Sequence, residues 1–382
     1  MTDVFILDAV RTPRGKRKGS LSFTHPIDLA VAPLTALAER NKFDPKEISD
    51  VIYGCVSQRG EQDNVIAREA VLAAGWPLEV AGATVNRFCG SGLTAVNMAA
   101  QAIMAGQENL MVGGGIEHMT RVPMEINFDM VGSLLAERWP NLIPQGLSAE
   151  MIAEKYGYDR KRLDEFSVRS QQLAAQAWET GRFKKGVIPV KAKTQDGKEF
   201  LFEKDEHLRP STTVEGLAAL KPSFKLDGVI HAGNSSGIVD GSAAVLLGSD
   251  KKAKELGLKP RAKIISTAVM GDDPIIMLLG PIPTVRKALQ KANLSVTDID
   301  LWEINEAFAP VPLAVAQELG IDLAKVNVNG GAIALGHPLG ATGAILLGTL
   351  LDEMERTDKR YGCVTLCIGF GMGVATIIDR KI

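Results

Sequence analysis

The chain has 382 residues, of which 46% are hydrophobic, enough for a large core and two to three domains at roughly 100–200 residues each. Its 43 basic and 45 acidic residues leave a formal net charge of -2, which excludes a chain-wide electrostatic footprint for nucleic acid. Four cysteines (Cys55, Cys89, Cys363 and Cys367) are too few for a disulfide framework in a chain this long.

The elements alternate from the start. A short apolar strand over 4–10 follows an N-terminus without the basic and long apolar regions of a leader. Helix-period apolar residues over 26–39 come next, then a strand over 51–55 and a helix over 64–74. Residues 80–85 lead to Cys89, and a small-residue helix is expected over 92–105. A strand over 109–112 is expected to end in Gly113-Gly114-Gly115. From about 118 to 242 the alternation breaks up, punctuated by Pro123, Pro140, Pro144, Pro189, Pro210 and Pro222. That stretch carries one clear amphipathic helix, over 164–180, and reads as a loop-rich insertion. Alternation resumes near Arg261, with a strand over 262–269, a helix over 284–292, a strand over 301–304 and a helix over 310–319. Residues 326–329 then act as a strand into a Gly-rich turn, followed by a helix over 342–354 and strands over 362–367 and 373–379. No apolar run reaches about 18 residues, so no membrane span is expected. The combination predicts a cytoplasmic α/β protein whose thiols stay reduced.

The two ends resemble each other. Val85-Asn86 precedes a Gly-rich turn holding Cys89 and a small-residue helix, and Val328-Asn329 precedes a similar turn holding His337. Asp50-Val51-Ile52-Tyr53-Gly54-Cys55 answers Asp300-Leu301-Trp302-Glu303-Ile304-Asn305 in the same order. We therefore expect two duplicated α/β halves, with residues 1–117 (completed by about 243–260) as the first and 261–382 as the second. The insertion 118–242 lies between them.

Cys89, in Asn86-Arg87-Phe88-Cys89-Gly90-Ser91-Gly92, sits at a strand-to-helix turn. Free N–H groups at a helix start favour a thiolate and lower its pKa. The bland reading is a small buried cysteine. His337 lies in Gly336-His337-Pro338-Leu339-Gly340, where an imidazole could deprotonate a thiol and then hydrogen-bond an oxyanion, or simply pack in a loop. Cys367 ends an apolar strand, with Cys363 on the same face. Their spacing lacks that of a common zinc site. Asn305-Glu306-Ala307-Phe308 follows another strand, and Asn305 is either a site residue or a helix N-cap. Gly233-Asn234-Ser235-Ser236-Gly237 matches a hydrolase elbow in letters but lacks the strand and helix that the elbow requires.

Together these motifs resemble the thiolase family over essentially the whole chain, from Arg11-Thr12-Pro13 through Gly115-Ile116-Glu117-His118-Met119 to Cys367-Ile368-Gly369. The resemblance implies a five-layered fold, with a loop domain contributing a coenzyme A site. It implies CoA-dependent cleavage of 3-ketoacyl-CoA, with coenzyme A as substrate, no resident cofactor and no metal. In that mechanism Cys89 carries the acyl group, His337 is its base and an oxyanion donor, and Cys367 is the general acid and base. Asn305 holds an oxyanion-stabilising water, and the Cys89 and Gly369 N–H groups form a second oxyanion hole. Arg209, Phe224, Ala232 and Ser236 align with CoA-contacting positions, Met277 with the acyl pocket, and Phe308 with the substrate site. Ile143-Pro144-Gln145-Gly146 departs from the Tyr-His-Met segment of short-chain biosynthetic members, ahead of a helix expected from near Ser148. Gly216 replaces a CoA-contacting serine of those members. These departures favour degradative over acetoacetyl-CoA thiolase activity.

A ketoacyl synthase would carry His or Asn in place of Cys367. A noncatalytic acyl-CoA or lipid binder would not need both thiols. The family also implies a homodimer or homotetramer, with a β-oxidation hydratase/dehydrogenase as a further possible partner.

Overall fold

The computed structural model describes residues 2–124 and 132–382. In chain order its strands are β1 (Val4–Arg11), β2 (Gly15–Lys16), β3 (Asp50–Gly54), β4 (Ala81–Val85), β5 (Leu110–His118), β6 (Val190–Lys193), β7 (Glu199–Phe202), β8 (Val239–Ser249), β9 (Ala262–Gly271), β10 (Leu301–Ile304), β11 (Tyr361–Ile368) and β12 (Met372–Asp379). Among the described residues, ten of them form one mixed sheet in the order β10-β11-β12-β9-β1-β8-β5-β3-β4, with β2 against β8.

The pairing pattern repeats about the β1–β9 seam. Outward on one side, β1–β8 and β8–β5 are antiparallel, and β5–β3 and β3–β4 are parallel. Outward on the other, β9–β12 and β12–β11 are antiparallel and β11–β10 is parallel. The counterpart of β4 is reduced to one parallel bridge, Trp302 to Val326, so the strand expected over 326–329 does not form. The seam has two residue pairs, Phe5 with Lys263 and Ile6 with Ala262.

Helices fill three layers around these halves. Helices Ser91–Met104 and Leu339–Arg356 are buried nearly all round and sit in a core lined by strands of both halves, as expected for helices apolar on every side. Helix Pro26–Asn41 covers the first half with a second core. Helices Pro281–Ala292 and Pro310–Leu319 cover the other with a third.

The expected stop at the triple glycine is corrected: β5 continues through it to His118. Those glycines mark close approach rather than a turn. A Cβ on Gly113 would lie 2.5 Å from Val96 Cα, and one on Gly115 would lie 2.0 Å from the Gly340 carbonyl oxygen. The insertion is also more ordered than its prolines suggest. It holds helices Ser133–Arg138, Gln145–Tyr156, Arg160–Glu179 and Val214–Ala218 and the β6–β7 hairpin. The second of these begins at Gln145, three residues before the expected start, because Pro144 supplies a fixed φ of -61° at the cap.

Gly115→Ala should destabilise the protein by about 3 kcal/mol or more, at the top of the usual overpacking range, because the clash is with backbone that cannot turn aside. Gly216→Ala, whose nearest contact would be 3.4 Å away, should be neutral or slightly stabilising. Thermal melts of the two variants beside the parent check the contrast.

Candidate active site

Cys89 stands at the entrance to helix Ser91–Met104, in a turn locked by its neighbours. The Ser91 hydroxyl accepts from Arg87 N at 2.8 Å and donates to Phe88 O at 2.6 Å, while Asn86 Oδ1 accepts from Phe88 N at 2.8 Å. Phe88 is held at φ 41°, a conformation that bulky residues rarely adopt. Its ring packs against Phe370, which is itself at φ 60° and 5.7 Å away between centroids. The helix start was expected to lower the Cys89 pKa. Burial wins instead and pushes the thiol up to about 11, with the Gln145 side chain and the local backbone opposing it through hydrogen bonds. The resting group is a thiol, and forming the nucleophile requires a base.

His337 is positioned to be one. Its Nδ1 lies 2.6 Å from Thr342 Oγ1, and that hydroxyl donates to Pro338 O at 3.0 Å. With its only proton spent there, Thr342 accepts from Nδ1–H, which leaves the lone pair of a neutral imidazole on Nε2. Burial, reinforced by Arg14, lowers the His337 pKa to about 3. Arg14 donates to Gly336 O at 2.9 Å, so the same side chain fixes the loop and disfavours the imidazolium. Asn305 Nδ2 faces Nε2 at 3.3 Å, and its buried Oδ1 has no partner among the described residues. The helix after Asn305 starts at Pro310 with Ala309 as its cap, which removes the N-cap reading.

Cys367, near the end of β11, is buried within electrostatic reach of Cys89, and burial plus that neighbour raise its pKa. Cys89 and His337 share a cavity of about 170 Å³ with Phe224, Ser236 and Phe308. A second cavity of about 260 Å³ reaches Cys89 past Val56, Gln58 and Leu339. Gly369 and Met277 line an apolar crevice with Phe88, Leu142, Ile143 and Phe370. Phe224 meets Phe308 edge-on at 5.9 Å between centroids. Arg209 and Ala232 lie outside the lining of the shared cavity and are exposed. The loop 233–237, which matched a hydrolase elbow in letters, is zipped to the Phe308 loop by Ser236 N to Ala307 O and Ala309 N to Asn234 O, both 2.9 Å. It leads into β8, not into a helix.

Three participants were missed from sequence. Gln145 reaches the Cys89 sulfur from the insertion. Thr342 sets the His337 tautomer. Glu117 accepts from Val56 N, Ser57 N, Gly340 N and Gln62 Nε2 at 2.9–3.1 Å, binding together the loops behind the Cys89 and His337 turns. In the sequence Glu117 stood only inside the Gly115-Ile116-Glu117-His118-Met119 motif, with no role attached to it.

The description "Thiolase, N-terminal domain" matches residues 4–251, and "Thiolase, C-terminal domain" matches residues 258–380. The chain belongs to the thiolase family. Thiolases are acyltransferases, and so is this protein. It is 46% identical to a 3-ketoacyl-CoA thiolase of Marinobacter nauticus, over 99% of this chain and 98% of that one. It is 43% identical, over the full length of both, to a 3-oxoadipyl-CoA/3-oxo-5,6-dehydrosuberyl-CoA thiolase of Escherichia coli. The crystal structure of a Bacillus anthracis acetyl-CoA acetyltransferase superimposes with a TM-score of 0.92 at 42% identity, covering 99% of each chain. Among the described residues, no group of acids, histidines and cysteines is arranged to hold a metal ion, and no helix is long and apolar enough to cross a membrane.

The depressed His337 pKa makes the stability of this thiolase pH-dependent. Between about pH 6.5 and pH 3 the unfolded histidine binds a proton that the folded one refuses, so stability falls as pH drops through that window. His337→Asn should flatten that part of the profile, read from denaturant midpoints at pH 7, 5.5 and 4.5.

Proposed function

We propose that this thiolase cleaves 3-ketoacyl-CoA with coenzyme A, releasing acetyl-CoA and a shortened acyl-CoA, in a degradative role. The observation that carries the reading is the meeting of Cys89 and a neutral His337 in one buried cavity, with the Cys367 thiol close to Cys89. Cys89 Sγ attacks the keto carbonyl while its proton passes to His337 Nε2. The bond between the α-carbon and the keto carbon breaks, and its electron pair forms an enolate that the Cys367 thiol protonates to give acetyl-CoA. A second CoA enters, the Cys367 thiolate takes its thiol proton, and the new thiolate collects the acyl group. Cys89 leaves as thiolate and recovers its proton from His337. Passage through a thioester entails ping-pong kinetics.

Asn305, beside His337, holds the water that stabilises the enolate oxygen with Nε2. The Cys89 and Gly369 N–H groups receive the oxyanion at the acyl carbon. The insertion supplies the CoA surface through Arg209, Phe224, Ala232 and Ser236. The apolar crevice containing Leu142, Ile143 and Met277 favours acyl chains longer than acetoacetyl, and hence the degradative reading over the biosynthetic one. The reading also includes a cytoplasmic homodimer or homotetramer.

Intact-mass spectrometry after incubation with acyl-CoA should reveal a single acyl adduct, absent from Cys89→Ala. An adduct elsewhere in the chain would refute the assignment. Cys367→Ala should still form the adduct from a simple acyl-CoA yet lose turnover with 3-ketoacyl-CoA. Asn305→Ala should lower kcat by about 10²–10³-fold, the usual effect of removing an oxyanion donor.

A further inference from the structure

We propose that Gln145 is a catalytic residue, whose side-chain amide donates to the Cys89 sulfur as the thiolate forms and so stabilises the nucleophile. This rests on the reading of Cys89 as the acyl carrier.

Three observations lead here. Gln145 lines the apolar crevice and both cavities that reach Cys89, so it stands where the routes converge on the nucleophile. Its Nε2, the donor end, faces the opposite catalytic loop, 3.2 Å from where a Cβ on Gly369 would stand. The Cys89 thiolate is favoured by a hydrogen bond from this side chain, the largest influence opposing burial at that sulfur.

The residue is also held in place. Gln145 opens helix Gln145–Tyr156 directly after Pro144. One turn on, the Ser148 hydroxyl donates to Ile276 O at 2.6 Å, tying that helix to the loop carrying Met277. Gly146 lies so close to the Phe224 ring that a Cβ there would stand 2.2 Å from it. A donor fixed in advance needs no reorganisation when charge develops on sulfur, and in a dry site such a donor is worth more than in water. Because the insertion supplies Gln145, its docking completes the nucleophile's surroundings.

The test is the pH dependence of Cys89 alkylation by iodoacetamide, followed by mass spectrometry, in the full-length parent, Gln145→Met and Gln145→Glu. Methionine keeps the length and volume of the side chain but has no donor. We expect its apparent thiol pKa to rise by about one unit, a tenfold smaller thiolate population at fixed pH. The glutamate variant should rise further, because its carboxylate opposes the thiolate. Superimposable profiles for the parent and Gln145→Met would overturn the proposal, and so would a rise confined to Gln145→Glu, which would reflect added charge alone. Thermal melts establish that each variant is folded. Thiolysis of a 3-ketoacyl-CoA is measured alongside. An inactive parent with a shifted Gln145→Met alkylation profile would count against the proposed reaction while supporting the donor role.

Discussion

One carbonyl organises this protein. The oxygen of Gly340, in the first turn of helix Leu339–Arg356, is wedged among Gly54, Gly92 and Gly115, whose Cβ atoms, if present, would lie 2.0–2.7 Å from it. Those glycines come from β3, the helix after Cys89 and β5. The start of the helix after His337 is thus seated directly on the start of the helix after Cys89. Nothing larger than glycine leaves room for that approach, and without it Cys89 and His337 could not share a cavity. Glu117 reinforces the seat, because one carboxylate oxygen accepts from both Gly340 N and Val56 N at 2.9 Å.

Seating the site at the centre of five layers buries its side chains, and burial dictates their protonation states. Both thiols are pushed toward their neutral forms and the imidazole toward its neutral form, each chiefly by loss of water. Proton transfer from a neutral thiol to a neutral imidazole creates a pair of opposite charges in low dielectric, and fixed donors then act on the charge that appears. The charged groups nearby are paired accordingly. Arg11 and Arg14 enclose Asp205, holding its pKa down although burial would raise it. Glu306, raised by burial, is satisfied by Ser170, Asn327 and Ile333 N at 2.7–3.1 Å, which fixes the loop leading to His337 and ties it to the insertion.

Much of this was legible in the chain. The alternation of strands and helices, the two matching ends and the turns holding Cys89 and His337 follow from local patterns, because periodicity and glycine placement act over a few residues. Local reading failed where distant segments decide. The triple glycine read as a stop, because its purpose lies in the helices packed on it. The strand before His337 shrank to one bridge at Val326 while its counterpart before Cys89 kept five residues. In the insertion the helix over 164–180 was legible, while the short helices Ser133–Arg138 and Val214–Ala218 and the β6–β7 hairpin carry too few periodic residues to stand out between the prolines.

The sequence by itself determined the family, most of the element types and the candidates for the reactive side chains, since these reside in short motifs whose chemistry is intrinsic to the residues. Only the tertiary structure decided their states. A cysteine at a helix start is expected to be acidic, yet burial holds Cys89 as a thiol. A histidine in a glycine-rich turn has no preferred tautomer until the Thr342 hydroxyl accepts from its Nδ1–H. Gln145, from the insertion, has no signature that links it to Cys89. Desolvation and the hydrogen bonds that fix these side chains are properties of the packed molecule, and no local pattern encodes them.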